Sequence, residues 1–250
     1  LKDASKKLVK KMSIDNLLKK FPKKKPKLSE NLRLAYKKIY QDNRSGKGFG
    51  NYISQKLETW MHIKIEKKSI GINSKKCLEL GAGNLNHLKY HNKDEIYDIV
   101  EPFKELYEGS SNLKRINKIY SDIFEINLKN EYDRILSIAV LEHLTNLPLI
   151  LEKCSQILKT DGIFQAAIPC EGEFAWYCGW KFGTGIPFWF KYKTNYAELM
   201  KYEHVNSFSE IVKLIKYYFN DVKISRSPLP FFLKTKHASF YAYVEAKNKS

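Results

Sequence analysis

The sequence predicts an α/β fold built on a mostly parallel β-sheet. Short apolar runs bounded by turn residues recur from about residue 75, and helical patterns lie between them. The chain then closes with two strand patterns that no helix separates, which indicates an antiparallel last strand. Of the 250 residues, 43% are hydrophobic and 14% are aromatic, which is enough for a packed core.

Before the sheet, residues 1–70 are expected to form an N-terminal helical cap. Helical patterns cover residues 4–20 and 30–41, and a third helix carries Tyr52, Trp60 and Met61. The tract FPKKKPK at residues 21–27 has two prolines within a block of lysines, so it is interpreted as a basic linker. Within this cap, Arg44 and His62 are candidates for contacts with a cofactor or a substrate, although packing or surface roles are the simpler interpretation.

Residues 71–250 are expected to form a single domain around the sheet. Helices are predicted at 148–158 and 208–219, and an aromatic insertion at about 171–206 is interpreted as a lid or as a small satellite core. The aromatic residues of this insertion are Phe174, Trp176, Tyr177, Trp180, Phe182, Phe188, Trp189, Phe190 and Tyr192. The predicted strands are Lys76–Leu80, Ile96–Val100, Lys118–Ser121, Tyr132–Ala139, Gly162–Ile168, Val222–Ser225 and Ser239–Ala246.

The formal net charge of +17 is concentrated at the N-terminus, where the first thirty residues hold eleven lysines and three acidic residues. Lysine supplies 39 of the 44 basic residues, whereas specific nucleic-acid readers favour arginine. A compositional bias is therefore the preferred explanation, and binding to nucleic acid or to an anionic surface is the alternative. No apolar run is long enough for a membrane span. The four cysteines show no zinc-ligand spacing, and a reducing, cytoplasmic location is expected.

The segment CLELGAGNL at residues 77–85 runs from a strand through a glycine turn into a helical start. Gly81 and Gly83 allow backbone conformations and a close ligand approach that a side chain would prevent. Ligands of open α/β sheets bind at the carboxyl ends of such strands. Glu101 ends the next strand, 18 residues after Gly83, where its carboxylate can accept hydrogen bonds from both hydroxyls of a ribose. Asp122 follows the third strand.

With these motifs, the sequence from about Lys75 to the C-terminus resembles the class I S-adenosylmethionine-dependent methyltransferases. Asn84 and Leu85 stand where many members carry a third glycine, and Asn86 also breaks the dinucleotide-binding pattern G-x-G-x-x-G. The resemblance implies a Rossmann-like, seven-stranded sheet with helices on both faces and S-adenosylmethionine as the cofactor, which leaves as S-adenosylhomocysteine. The motifs that match in order and spacing are Glu79–Gly83, Glu101, Asp122-Ile123, Asp133 leading to VLEHL, and LKTDG at 158–162.

The resemblance also implies cofactor-binding roles for eight residues of this chain. These residues are Glu79, Gly81 and Gly83 at the methionine part, Glu101 at the ribose hydroxyls, Asp122 and Ile123 at the adenine, and Ile138 and Ala139 beneath the sulfonium.

His143 is the first candidate for a general base, because it follows the fourth strand and an ordinary imidazole pKa of about 6.5 suits the task. Glu171 and His204 are alternative bases, and each of the three could instead lie in an ordinary loop. The pair Glu142-His143 also resembles the metal-binding turn of quinone-type O-methyltransferases. Those enzymes carry a further acid where this chain has Ala139, so no metal site is predicted.

The predicted function is methyl transfer to an oxygen of a small polar acceptor. The segments GAGNLNHL, YDIVEPF and SIAVLEHL resemble bacterial enzymes of surface-polysaccharide or sugar modification, which implies a sugar, a nucleotide-linked sugar or a capsule precursor as the acceptor. An RNA methyltransferase and a non-catalytic protein that binds S-adenosylmethionine are the alternatives. A cytosine-C5 enzyme would need Cys170 to be an exposed, activated nucleophile. The tetrapeptide of amino-methyltransferases is absent, which argues against methylation of base amines in DNA.

Overall fold

The computed structural model describes residues 12–33, 36, 51–91, 94–178, 181, 188, 190, 195–226 and 239–249. Within this part, the side chains of residues 51–55, 57, 175 and 178 are not described. The predictions for Arg44, the side chain of Tyr52, and the lid residues Trp180, Phe182, Trp189 and Tyr192 lie outside it.

The strands follow one another in the predicted order, but within the described residues only short 3₁₀ turns, rather than α-helices, connect β1 to β2 and β3 to β4. None of the described helices combines the length and the apolar character of a membrane span. The labelled helices are α1 at residues 12–18, α2 at Asn51–Ser69, α3 at Lys104–Tyr107, α4 at Leu147–Ile157, α5 at Phe174–Cys178, α6 at Tyr196–Glu203 and α7 at Phe208–Tyr218. Residues 30–33, within the second predicted helix, are also helical. The strands are β1 at Lys76–Leu80, β2 at Ile96–Val100, β3 at Lys118–Tyr120, β4 at Tyr132–Ile138, β5 at Leu158–Pro169, β6 at Asn220–Arg226 and β7 at Tyr241–Lys247.

The strands form one seven-stranded sheet in the order β3-β2-β1-β4-β5-β7-β6. Strands β1 to β5 pair in parallel, whereas β7 is antiparallel to both β5 and β6. The predicted α/β class, the mostly parallel sheet and the antiparallel last strand are therefore confirmed. The strand order reverses direction between β1 and β4, and the crevice beyond the carboxyl ends of these strands is where open α/β sheets bind ligands.

The central strands of the sheet are buried on both faces, whereas the edge strands β3 and β6 are largely exposed. On one face, alternate β1 residues such as Leu78 and Leu80 pack into a core shared with α4 and α7. On the other face, Cys77 packs with Tyr97 and with Ile65 of α2. Burial on both faces explains why β1 and β2 do not alternate between buried and exposed residues: the last four residues of each strand are all buried.

The tract at residues 21–27, interpreted above as a linker, packs against the domain. The Lys23 backbone N–H donates to the Thr145 carbonyl at 2.8 Å. The Lys23 Nζ donates to the Val205 carbonyl at 2.8 Å and to Glu210 Oε2 at 2.7 Å. These contacts fasten the N-terminal segment to the loop after β4 and to the start of α7. The boundary at residue 70 between cap and domain stays a prediction.

A buried ion cluster fastens α2 to the sheet. The Arg134 side chain on β4 is fully buried and forms an ion pair with the buried Glu95. Its Nη1 lies 3.5 Å from Oε1 of Glu66 on α2 and 3.3 Å from Oε1 of Gln165 on β5. Because a buried charge is tolerated only when it is paired, each of these groups requires the others.

Replacing Arg134 by methionine should lower the free energy of unfolding by about 3–5 kcal/mol, because two carboxylates lose their buried partner. Urea denaturation followed by circular dichroism measures this change. The matched control is Lys159→Met, which removes an ion pair of 2.8 Å to Asp133 from a side chain that is 42% exposed. The control should cost less than about 1 kcal/mol. Equal losses in the two variants would contradict the assigned role of the buried cluster.

Candidate active site at the carboxyl ends of the parallel strands

The loop after β1 requires glycine at Gly81. This residue has φ +73°, and its N–H donates to the Val100 carbonyl at 2.8 Å. A Cβ atom at this position would lie 2.4 Å from Val140 Cγ2, which is closer than packed carbons can approach. At Gly83, with φ +51°, an added Cβ would meet no atom within 4 Å. The loop is therefore packed tightly on β4 at Gly81 and leaves open space at Gly83.

Glu101 lies against this loop. Its Oε2 accepts a hydrogen bond from the Gly83 N–H at 2.8 Å, and its Oε1 accepts one from the Phe103 N–H at 3.0 Å. The residue is only 6% exposed, so the two backbone donors fix the orientation of its carboxylate. Each oxygen keeps a further lone pair for a hydroxyl donor. Two of the predicted cofactor residues, Gly83 and Glu101, are thus in direct contact.

Glu79 lies beneath the glycine loop and is buried. The Tyr97 hydroxyl donates to its Oε2 at 2.9 Å. Burial raises the pKa of Glu79 to about 8, and the hydrogen bond from Tyr97 offsets only part of this effect. The carboxyl group is therefore protonated at neutral pH in the free protein.

Asp122 and Ile123 follow β3, next to the end of β2. The exposed Asp122 accepts a hydrogen bond from the Phe124 N–H on its Oδ1 at 3.0 Å and so begins a 3₁₀ turn. The Ile123 side chain is buried in the core. Of the two side chains, only that of Asp122 faces solvent. The roles of both residues at the adenine stay predictions.

Ile138 and Ala139 end β4 and are half-buried. Ala139 has φ +52°, which is unusual for a residue with a side chain, and its N–H donates to the Ala167 carbonyl at 2.8 Å. This bond turns the chain away from the sheet, toward Val140 and the residues that follow. The position of Ile138 and Ala139 beneath the sulfonium of the cofactor stays a prediction.

The three predicted base candidates, distant in sequence, come together beyond β4 and β5. The His143 and His204 rings meet edge to face with 5.0 Å between centroids. His143 Nδ1 lies 2.8 Å from the Glu203 carbonyl oxygen, and His204 Nδ1 lies 3.0 Å from Glu171 Oε2. His143 Nε2 is 3.8 Å from Glu142 Oε1.

These contacts decide which nitrogen of each imidazole can take up a proton. A carbonyl oxygen only accepts, so Nδ1 of His143 carries the hydrogen, and the carboxylate of Glu171 favours the same tautomer in His204. In both rings Nε2 then holds a lone pair. The arrangement has the basic nitrogen and the orienting acceptor that general base catalysis requires.

Glu142 adds a buried carboxyl group to this cluster. The residue is 1% exposed, and burial raises its pKa to about 7. Its Oε2 has no hydrogen-bond partner among the described residues. Two groups of side chains within the described chain have ligand atoms within 4.8 Å of one another, as metal binding would require: Glu142, His143 and His204 at this site, and Glu66, His87 and His91 beneath α2. The prediction that the site holds no metal stays a prediction.

Trp176 forms an aromatic wall beside the imidazoles. Its Nε1 donates to Glu171, its ring stacks on His204 with 6.0 Å between centroids, and its edge meets Tyr241 at 5.4 Å. Phe174, by contrast, is 73% exposed. The described part of the aromatic insertion thus contributes both a wall and an exposed surface.

Two further candidates do not contribute a catalytic group to this cluster. Cys170 is buried, and burial raises the pKa of its thiol to about 12, so the thiolate needed by a cysteine nucleophile is scarce. The described cysteines Cys77, Cys154 and Cys170 are all free. His62, on the buried side of α2, stacks on Tyr90 with 5.2 Å between centroids, and its Nδ1 lies 3.1 Å from His87 Nδ1.

Sequence reasoning did not identify two groups that shape the site. Val140 closes the space above Gly81, and the Glu203 main-chain carbonyl orients His143. Neither group carries a local sequence signal, since apolar side chains and peptide carbonyls occur throughout every protein chain. The lysines near His204 do carry a sequence signal, the lysine block at residues 23–25. The two prolines around this block predict a linker rather than part of a site.

Residues 78–166 match the family model of a methyltransferase domain. No curated protein is significantly similar to the chain. Among solved structures, 875 chains are significantly similar, so this fold serves many proteins and does not by itself select an acceptor.

Three solved structures illustrate the similarity. The CurJ carbon methyltransferase has a TM-score of 0.55 and 17% identity, with 80% of this chain and 59% of that chain covered. The Burkholderia thailandensis 1,6-didemethyltoxoflavin-N1-methyltransferase, with bound S-adenosylhomocysteine, has a TM-score of 0.54 and 15% identity over 91% of this chain and 93% of that chain. The methyltransferase domain of bacterial CtHen1 has a TM-score of 0.54 and 16% identity over 76% and 99%. The chain thus spans about three fifths of the first of these proteins.

Replacing Glu79 by glutamine should stabilise the protein increasingly as the pH rises. In the unfolded chain the carboxyl ionises near its ordinary pKa of 4.5, whereas in the folded protein it keeps its proton up to about pH 8. The wild type therefore loses stability over this window and the variant, which has no proton to lose, does not. The difference in unfolding free energy should grow by about 1 kcal/mol per pH unit between pH 5 and 8.

Urea titrations of both proteins without cofactor, at pH 5, 6, 7 and 8, measure this difference. A difference that stays constant across the series would show that the folded protein holds Glu79 ionised.

Proposed function

We propose that the chain is a class I S-adenosylmethionine-dependent methyltransferase, as the match of residues 78–166 to a methyltransferase domain and the fold support. We further propose that it methylates a hydroxyl oxygen of a small polar acceptor, such as a sugar or a surface-polysaccharide precursor. The observation that carries this proposal is the pair of oriented imidazoles, His143 and His204, beyond β4 and β5. Transfer to a hydroxyl requires a base, and this pair offers two basic nitrogens at the edge of the sheet where the glycine loop lies.

The residues at the glycine loop fit the cofactor. Glu101 is held by backbone donors with lone pairs left for the ribose hydroxyls, and Gly83 leaves open space above the loop. Asp122 is exposed beside them for the adenine amine. Glu79, Gly81, Ile123, Ile138 and Ala139 complete the proposed cofactor-binding set.

The chemistry needs little from the protein beyond alignment and proton removal. When bound, S-adenosylmethionine supplies an electrophilic methyl group. The His143 Nε2 accepts the proton of the acceptor hydroxyl, while the Glu203 carbonyl keeps Nδ1 protonated. The His204–Glu171 pair, in ring contact with His143, orients the acceptor and stabilises the positive charge that develops on His143.

Two features support a small polar acceptor. The base cluster is lined by carboxyl and imidazole groups, which suit hydroxyl donors, and Trp176 supplies an aromatic wall against which a sugar ring can pack. The alternative acceptor is RNA, which is favoured only by the net charge of +17.

Replacing Glu101 by glutamine should weaken binding of S-adenosylhomocysteine about 10- to 100-fold, because a charge-assisted hydrogen bond to the ribose is lost. Isothermal titration calorimetry measures this effect. The matched control is Glu108→Gln, an exposed carboxyl a few residues further along the chain, which should leave the affinity unchanged. Equal affinities for the wild type and Glu101→Gln would contradict the ribose role.

Replacing His143 by asparagine should lower kcat about 10²- to 10⁴-fold, because the amide keeps a donor toward the Glu203 carbonyl and has no basic nitrogen. Methyl transfer from radiolabelled S-adenosylmethionine is measured on a panel of sugar phosphates and nucleotide-linked sugars. The affinity for S-adenosylhomocysteine should not change.

The matched variant His204→Asn keeps a donor toward Glu171 in the same way. A larger loss of kcat in His204→Asn than in His143→Asn would assign the base to His204 instead. Full activity in both variants would overturn the general base proposal.

A further inference from the structure

A lysine-lined cavity lies beside the imidazole cluster. Its volume is about 450 Å³, within the range of small-ligand sites. The N-terminal segment forms one wall, and the end of α6 with the residues after it forms the other. The lining residues are Lys20, Pro22, Lys23, Lys24, Lys201, His204 and Val205. They include four amines and no carboxylate.

Lys23 fixes the wall of the cavity that the N-terminal segment forms. Its ammonium donates to the Val205 carbonyl and to Glu210, so its charge is already paired. Glu210 is itself fixed, because it belongs to the capping box that starts α7 with Ser207. Lys25 packs its ammonium over the Tyr202 ring at 4.7 Å. These contacts hold the lysine tract against α6 and give the cavity a defined wall.

The other three lysines are less fully paired than Lys23 within the described residues. Lys24 and Lys201 form no ion pair within the described part of the chain, and Lys20 lies 3.8 Å from Glu210, which Lys23 already occupies. All three side chains are exposed. Like charges gathered around one space repel one another, and an anion in that space relieves the repulsion.

His204 joins the cavity to the proposed base cluster. It lines the cavity, and its ring also lies 5.0 Å from the His143 ring. His204 therefore belongs to both the cavity and the imidazole pair, and it is the one cavity-lining residue in ring contact with His143 among the described residues.

We propose that this cavity binds a phosphate group of the methyl acceptor, so that the acceptor is a sugar phosphate or a nucleotide-linked sugar. This inference rests on the proposed function and adds the chemical class of the substrate. Lys20, Lys24 and Lys201 neutralise the phosphate, and the sugar hydroxyl extends past His204 to His143. The volume of the cavity suits a group of this size, whereas an extended nucleic acid would need a longer basic surface.

The test compares binding of glucose 1-phosphate, UDP-glucose and glucose to the full chain by calorimetry, with S-adenosylhomocysteine present. Both phosphorylated probes should bind and glucose should not. The double variant Lys24→Gln/Lys201→Gln should weaken the phosphorylated probes at least tenfold. The control Lys19→Gln/Lys27→Gln removes two exposed lysines of the same segment that do not line the cavity, and it should leave the affinities unchanged.

Each result separates this inference from the proposed function. If S-adenosylhomocysteine binds and neither phosphorylated probe does, the phosphate site is wrong while the methyltransferase site stands. If the control variant loses as much affinity as the test variant, the cavity is not the site. If a 20-nucleotide RNA binds at least tenfold more tightly than both probes and loses affinity in the test variant, the lysines serve nucleic acid. If S-adenosylhomocysteine itself does not bind, the proposed function fails first.

Discussion

The contact between Gly81 and Val140 is the constraint around which the site is built. It joins the loop after β1, which carries the proposed cofactor residues, to the loop after β4, which leads to the imidazole cluster. A Cβ at Gly81 would lie 2.4 Å from Val140, so the two loops cannot approach in this way with any other residue at that position. Because β1 and β4 are also paired neighbours in the sheet, the spacing between the two halves of the site is fixed by packing as well as by hydrogen bonds.

Buried ionisable groups occur in two different environments in this protein. Beneath α2, Arg134 pairs with Glu95 and lies close to Glu66, so opposite charges compensate and the cluster serves stability. At the carboxyl ends of the strands, Glu79 and Glu142 are buried away from any guanidinium that neutralises them fully, and the pKa of each is raised, to about 8 and about 7. Carboxyl groups whose pKa is raised toward neutral pH by burial are typical of functional sites.

The parts of the fold that the sequence predicted well depend on local patterns. Apolar runs located all seven strands to within a few residues, including the largely exposed edge strands β3 and β6. Gly81 and Gly83 marked the glycine loop. The antiparallel last strand followed from the missing helix before it. The contacts that sequence could not supply join distant segments through groups without a signature: the Glu203 carbonyl at His143, Val140 above Gly81, and Lys23 against Glu210. The sequence indicated His143, Glu171 and His204 only as three separate candidates for a base. Periodicity assigns residues to helices and strands, but it does not show how those helices and strands pack against one another.

The lysine excess at the N-terminus has more than one physical meaning. A compositional bias alone would not account for the difference between Lys23, which is paired and half-buried, and Lys24 beside it, which is exposed at a cavity. An alternation of this kind arises when an extended segment turns successive side chains to opposite sides, one toward the domain and the next away from it. Lysine also suits the second role, because its ammonium is a compact charge on a flexible stem that can follow a phosphate without the fixed two-point geometry of arginine. The same tract therefore fastens the N-terminal segment to α7 through one lysine and shapes the electrostatics beside His204 through its neighbours.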